Sequence, residues 1–453
     1  MDAVSLAEDT VKKALEKGCD GAEVFIKTAK RLSVEAKNSS VDALESAMDF
    51  GMALKVIKKQ RIGFSFSTSP DSVKDIIDEA VRGADWTAAD KYVDIPNPPL
   101  PPFYKGGRGG ITSSEVLVLD EKIKNIKEEE IIKSALLLEK AALDFDVRVK
   151  KVRKAEVILA CGNTTIVNSK GVNFSYESSH LTATITALAS DGQDSQTGWD
   201  FATSRRLDEI NFVSVAESAS KKAIDLLGSK RISSVKVPVV FDSSVASDFL
   251  GLFSASLSAE AVQKKRSFLT GKVGKNIISS IITVVDDGLM PWKIGTRPVD
   301  DEGVPTFKKV VVSNGQLTGY IHNTYTAKKE DVTSTGNAAR KSFKNLPGID
   351  VTNLYIEPNP PKPPHLIKSI SKGILVLETM GIHTANPISG DFSIGISGLW
   401  IDNGEIAYPV KEAVMSGNIL ELFNRIEDVG DDLRFYGKVG SPSLLIGEID
   451  ISA

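Results

Sequence analysis

Two cysteines and four histidines in 453 residues leave little material for soft-metal chemistry. Cys19 and Cys161 lie far apart, so neither a disulfide framework nor a cysteine-rich zinc site can be built from them, and a reducing, cytoplasmic setting fits best. No two of His180, His322, His365 and His383 stand at the spacing that helical metal motifs use. His180 falls on the polar side of the alternating HLTATITALAS, which reads as an exposed strand position. His322 in GYIHNTY reads as a strand or strand end, and His365 and His383 read as loop residues. Nucleophile motifs are missing as well, since GDFSIGISG carries elbow-like letters but alternates as a strand. No P-loop or dinucleotide fingerprint is present, which disfavours a nucleotide enzyme.

Long apolar runs are also lacking. FLGLFSASL is short and broken by serine, and the amphipathic, acidic MDAVSLAEDTVKKALEKG reads as a helix rather than a leader, so no membrane association is expected. Charge of one sign is absent too. With 55 basic and 59 acidic residues the net charge is −4, which leaves no electrostatic footprint for nucleic acid.

What remains is an ordinary globular composition, 42% apolar and 25% charged, at a length that calls for two or three domains. The fold class is α+β: N-terminal α/β repeats followed by a C-terminal domain with a large, mostly antiparallel sheet. Residues 1–90 read helix, three strands, helix. Residues 91–118 form a linker whose DIPNPPLPPFYKGGRGG composition supports neither helix nor sheet. Residues 119–230 again read helix, strands, helix, with one strong helix over 120–146, and the matching order implies a duplicated unit. Residues 231–453 begin with the buried strand VKVPVVFD, followed directly by an amphipathic helix with Val245, Phe249, Leu252, Phe253 and Leu257 on one stripe.

The stretch VVDDGLMPWKIGTRPVDDEGVPT carries two acidic clusters, Asp286-Asp287 and Asp300-Asp301-Glu302. Paired carboxylates serve metal and acid/base chemistry, yet DDG and DDEG are also tight-turn sequences, and the turn reading leads. Asn314-Gly315 and Asn403-Gly404 read as two-residue hairpin turns.

Several ordered segments carry a family resemblance: DDGLMPWKIGTRPVDDEGVPT, NGQLTGYIHNTYTAKK, TSTGNAARKS, SGDFSIGISGLWIDNGEIAYPVKEAVMSGN and DVGDDL, with GAEVFIK, GMALKVI and RIGFSFS near the N-terminus. Together they resemble the TldD/PmbA family, whose older name is modulator of DNA gyrase, over essentially the whole chain. The resemblance implies a heterodimeric metallopeptidase. TldD-type subunits carry zinc on a helix with H-E-x-x-x-H and a further Cys near the C-terminus; PmbA-type subunits, also called TldE, lack these residues. Here the helix after VPVVFD reads FLGLFSASLSAEA, its only Glu, Glu260, lies beyond the motif, and Tyr436 stands where Cys is expected.

The resemblance therefore implies a PmbA/TldE-type partner subunit with no catalytic or metal-ligating residue of its own. Zinc is expected in a TldD-like partner, unfolded peptide is the substrate, and homodimers are left open. Asp301 and Glu302, with Gly336, Asn337 and Arg340 of TSTGNAAR, are the candidate residues of the peptide chamber. Two alternatives remain: a self-sufficient peptidase with a carboxylate and His322 site, and a non-enzymatic regulator of the gyrase-modulator type.

Overall fold

The computed structural model describes residues 2–98, 116–360 and 366–452. One structural pattern occurs twice in its first half. Helix α1 (Ala3–Glu16) leads into the long strand β1 (Gly21–Lys37), which turns into β2 (Ser40–Lys58) and then β3 (Arg61–Ser67). The connecting pairs Asn38-Ser39 and Lys59-Gln60 all have positive φ, the geometry whose twist matches a tight hairpin. Ser69 and Pro70 open a short 3-10 turn that runs into α2 (Val73–Trp86), with the Ser69 hydroxyl accepting from Asp71 N.

In the second occurrence α3 (Glu121–Asn125) and α4 (Glu128–Phe145) precede β4 (Val149–Asn168), β5 (Asn173–Ser190) and β6 (Ser195–Ser204), and α5 (Phe212–Asp225) closes the unit. The single helix expected over 120–146 is broken. Ile126 and Lys127 are extended, and Glu128, Glu129 and Glu130 begin a new first turn, where negative charge favours a helix start.

The strands form one antiparallel sheet, ordered β3-β2-β1-β4-β5-β6, so the two units meet through β1 and β4 and share a continuous sheet. Helices cover one face. Val24 and Ile26 of β1 pack under α1 and α2, Leu32 and Val34 under the helices of the second unit, while Phe25 faces the other way. Each third strand carries a glycine beneath its closing helix. A Cβ on Gly63 would stand 1.9 Å from the Ala80 carbonyl of α2, and one on Gly198 2.2 Å from the Ala219 carbonyl of α5, so both helices dock where a side chain is missing.

Residues 99–115 of the expected linker, KGGRGG included, lie outside the described residues, as does His365. The flanks are anchored: Ile95, Val116 and Val118 are buried, and Asp94 binds Lys170 Nζ at 2.7 Å and Lys328 Nζ at 2.9 Å.

In the C-terminal half β7 (Val235–Phe241) runs directly into α6 (Ser243–Ser256), capped by Asp242, and then α7 (Ala259–Gln263). Next come β8 (Val284–Asp287), β9 (Lys308–Ser313), β10 (Gln316–Leu317), α8 (Thr324–Glu330), β11 (Ala338–Ala339), β12 (Gly348–Ile349) and β13 (Leu354–Ile356). The chain ends with β14 (Lys372–Met380), β15 (Asp391–Asp402), β16 (Glu405–Asn418), α9 (Ile419–Asn424), β17 (Ile426–Val429), β18 (Arg434–Tyr436), β19 (Val439–Ser441) and β20 (Leu444–Ser452).

One sheet is ordered β16-β15-β14-β7-β20-β17, and a further β16–β20 pairing closes five of its strands into a ring. A second is ordered β10-β9-β8-β13-β19-β18. Both are antiparallel apart from the β7–β14 and β13–β19 pairs. The α6 stripe fills the space between them: Val245, Phe249, Phe253 and Leu257 share one core with Phe241, Val284, Leu354 and Ile374. Burial of each such side chain contributes about 1.5–3 kcal/mol. Asn314-Gly315 and Asn403-Gly404 form the expected hairpin turns, all four at positive φ.

Candidate functional site

The two acidic clusters fold differently. Asp286 is fully buried within β8 rather than in a turn. Its Oδ1 accepts from Thr352 N at 2.6 Å and Thr352 Oγ1 at 2.8 Å, and its Oδ2 from Asn337 Nδ2 at 2.9 Å and Lys309 Nζ at 3.0 Å. These four donors occupy both carboxylate oxygens. The turn expected at DDG starts one residue later, where Asp287 accepts from Leu289 N.

The second cluster is the turn its sequence implies, with Gly303 at φ +84°. Asp300 Oδ1 accepts from Glu302 N and Val304 N, and Oδ2 from Ala338 N. Burial, and next the Glu302 charge, push the Asp300 carboxyl up to about 7 against the pull of these amides. Asp301 accepts from Arg340 N at 2.6 Å and from Arg297 Nη1 at 3.3 Å.

The TSTGNAAR segment joins the clusters. Asn337 bonds to Asp286, Ala338 N to Asp300, and Arg340 N to Asp301. Gly336 passes so close to Pro305 that a Cβ would lie 2.4 Å from its carbonyl oxygen. From here Arg340 reaches the first sheet, donating to Glu23 Oε1 at 2.9 Å and lying over the Phe25 ring. Glu23 also binds Lys55 Nζ at 3.2 Å, its direct cross-strand partner on β2, and Lys55 stands 3.5 Å from Glu302. Side chains of Glu23, Lys55, Arg340 and Glu302 are each at most 5% exposed. Burial pushes the Glu23 carboxyl upward against the pull of Lys55 and Arg340.

The five candidate residues are thus brought into one network at the junction of the two halves, in unequal positions. Asp301 and Arg340 border a polar cavity of about 260 Å³. Glu302 borders a separate cavity of about 740 Å³ between residues 88–94 and α8. Gly336 and Asn337 are buried and border neither.

A second convergence lies at the start of α6. Tyr436 of β18 places its hydroxyl 3.3 Å from Ser243 Oγ, and its ring packs edge-on against Phe201 of β6. Burial, and next the Asp242 charge, push this hydroxyl up to about 12. Beside it Arg434 forms a two-bond pair with Asp200 at 2.8 and 2.9 Å. The polar groups of the helix here are Ser243, Ser244, Ser247 and Asp248, and Gly251 faces open space.

Among the described residues, His180, His322 and His383 line neither cavity and do not join the cluster at the start of α6. His180 is half-buried on β5 rather than exposed, since the C-terminal half covers that face; it bonds Thr182 Oγ1, and burial followed by the Arg205 charge lowers it to about 4. His322, just before α8, is buried, held low by desolvation, and 3.9 Å from Glu330. His383 occupies a short 3-10 turn. Among the described residues no three His, Cys, Asp or Glu side chains gather where they could hold a metal.

Sequence reasoning missed Glu23, Lys55, Arg205 and Arg297. Glu23 and Lys55 had a visible signal, a charge inside the otherwise apolar runs GAEVFI and MALKVI.

Three comparisons bear on the chain as a whole. Family models described as PmbA/TldA metallopeptidase domain 1, central domain and C-terminal domain match residues 22–84, 121–227 and 234–453. A metalloprotease PmbA homolog of Buchnera aphidicola subsp. Acyrthosiphon pisum is 28% identical, covering 99% of this chain and 96% of that protein. The crystal structure of a protein described as a modulator of a DNA gyrase, from Thermotoga maritima, superposes with a TM-score of 0.88 at 27% identity, covering 99% of both chains. TldE from Thermococcus kodakarensis shares the fold, with a TM-score of 0.88 at 23% identity over 99% of this chain and all of that one.

Proposed function

This chain belongs to the PmbA/TldD metallopeptidase family, and from that premise we propose that it is the metal-free partner subunit of a TldD/TldE-like heterodimeric peptidase acting on unfolded peptides in the cytoplasm. The observation that carries the reading is the donor set where α6 meets β18. A catalytic zinc draws three protein ligands from His, Cys and carboxylate. Here the helix and Tyr436 present serine hydroxyls, the capping Asp242, already bonded to Ser244, Asp248, and a phenol held protonated far above neutral pH, with no His or Cys among them. These residues do not fit zinc, so metal, activated water and general base are assigned to the partner.

This chain's share is surface. Asp301, Arg340 and Glu302 border the cavities at the junction, and Gly336 and Asn337 position them from behind. The outer part of β2 supports a docking role. β3 pairs only with Met52–Lys58, so Ser40–Asp49 has a free edge among the described residues. Both of its faces are open, with Met48 86% exposed and Val41 and Leu44 also outward. Such an edge receives an extended chain through main-chain hydrogen bonds with little sequence demand.

Elemental analysis of the chain purified alone, and of the same chain after size-exclusion with a zinc-bearing TldD-type paralogue, tests the reading. Zinc is expected only in the co-eluting pair, in proportion to the paralogue. One tightly held zinc per isolated chain would overturn it.

A further inference from the structure

The 260 Å³ cavity at the junction has an unbalanced lining. Six cations, Lys27, Arg205, Arg297, Arg340, Lys341 and Lys438, face two carboxylates, Asp301 and Asp350. The carboxylates are already engaged: Asp350 pairs with Lys438, and Asp301 accepts from the Arg340 amide and from Arg297. Arg340 is neutralised from behind by Glu23. That leaves Arg205, Lys27 and Lys341 with no carboxylate partner among the described residues, and Arg297 with a single 3.3 Å contact and a buried Nε that bonds nothing.

Arg205 is the most telling of these. Its guanidinium donates to four carbonyls, those of Ser179, Lys293, Ile294 and Thr296, which fix its position without cancelling its charge. Burial, reinforced by the nearby Arg297 charge, pulls its pKa down to about 10. A buried cation held only by dipoles beside a second arginine is costly unless an anion offsets it. The cavity wall adds neutral donors, the hydroxyls of Thr164 and Ser178.

We propose that this cavity is an oxyanion site, taking the carboxylate of an acidic peptide or inorganic phosphate, with Arg297 as the direct donor, Lys27 and Lys341 at the mouth, and Arg205 supplying fixed charge from behind. Arginine presents paired donors suited to either oxyanion. The proposal concerns binding by this chain alone and stands whether or not the chain serves a peptidase.

Isothermal titration of the full chain at low salt with inorganic phosphate, and separately with two peptides differing by one Glu→Gln exchange, tests it. Saturable binding is expected in at least one arm. Preference for the Glu peptide by about tenfold identifies a peptide carboxylate, and phosphate binding without that preference identifies a free anion. Lys27→Ala with Lys341→Ala should weaken binding at least tenfold while leaving the thermal midpoint unchanged, because both residues are exposed and have no carboxylate partner among the described residues. Arg297→Gln should abolish binding. Absence of binding in every arm, or equal affinity in the wild type and the lysine double variant, would overturn the proposal.

Discussion

Replacing Glu23 with Gln should cost more stability than any surface change in this protein. The substitution keeps the shape of the side chain and removes one charge at a site with no solvent exposure. Lys55, 3.2 Å away, would then keep only Glu302, at 3.5 Å, and Arg340, 2.9 Å away, would lose the carboxylate its guanidinium pairs with. Breaking a buried pair by removing one partner costs about 3–5 kcal/mol, because the remaining charge stays desolvated. That is about two to four powers of ten in the unfolding constant. Urea unfolding followed by tryptophan fluorescence measures it, read as the midpoint of the transition that disrupts the junction, since a chain of this size need not unfold in one step. Pairing Glu23→Gln with Arg340→Met completes a double-mutant cycle across the junction, in which the double variant should lose at least about 1 kcal/mol less than the sum of the singles. A loss below about 1 kcal/mol for Glu23→Gln, or simple additivity, would refute the idea that this network holds the first sheet to the C-terminal half.

Asn337→Ala removes the Asp286, Asp350 and Thr335 hydrogen bonds of a fully buried side chain, and should cost about 2–4 kcal/mol by the same urea assay. Gly63→Ala drives a methyl into the Ala80 carbonyl and should destabilise by about 1–3 kcal/mol or more, with Gly198→Ala showing the same sign against Ala219; a neutral effect at both would contradict the close docking of α2 and α5. Asp94 gives a pH signature. Burial opposes ionisation, but the hydrogen bonds from Lys170 and then Lys328 hold its carboxyl down to about 2. Its contribution is therefore present above the ordinary carboxyl value near 4 and is lost as pH falls from about 4 toward 2, and Asp94→Asn should flatten that part of the stability profile.

Much of the fold was legible because its signals are local. Alternation in HLTATITALAS placed Leu181, Ala183, Ile185, Ala187 and Ala189 on the buried side, where they lie at 0% exposure. Capping at Ser69-Pro70 and the Asn-Gly hairpins fixed element ends for the same reason. The break at Ile126-Lys127 was missed because periodicity alone runs across it and neither residue is a helix breaker. The pairing of β1 with β4 was out of reach, since it joins residues about 130 apart and is decided by which strand edges remain unpaired. The candidate site was half legible. Asp301, Glu302, Gly336, Asn337 and Arg340 could be picked out as a group, but their burial against Glu23 and Lys55 depends on the first sheet reaching the C-terminal half, a contact that no spacing along the chain encodes.

In the proposed division of labour the chemistry resides in a partner and this chain supplies surface. The most direct test is cleavage of an unfolded peptide by the purified chain alone, by a purified zinc-bearing TldD-type paralogue alone, and by the two mixed, each with and without a chelator. The account predicts no cleavage by this chain alone and chelator-sensitive cleavage by the mixture that exceeds the paralogue's own. Chelator-sensitive cleavage by this chain in isolation would contradict it.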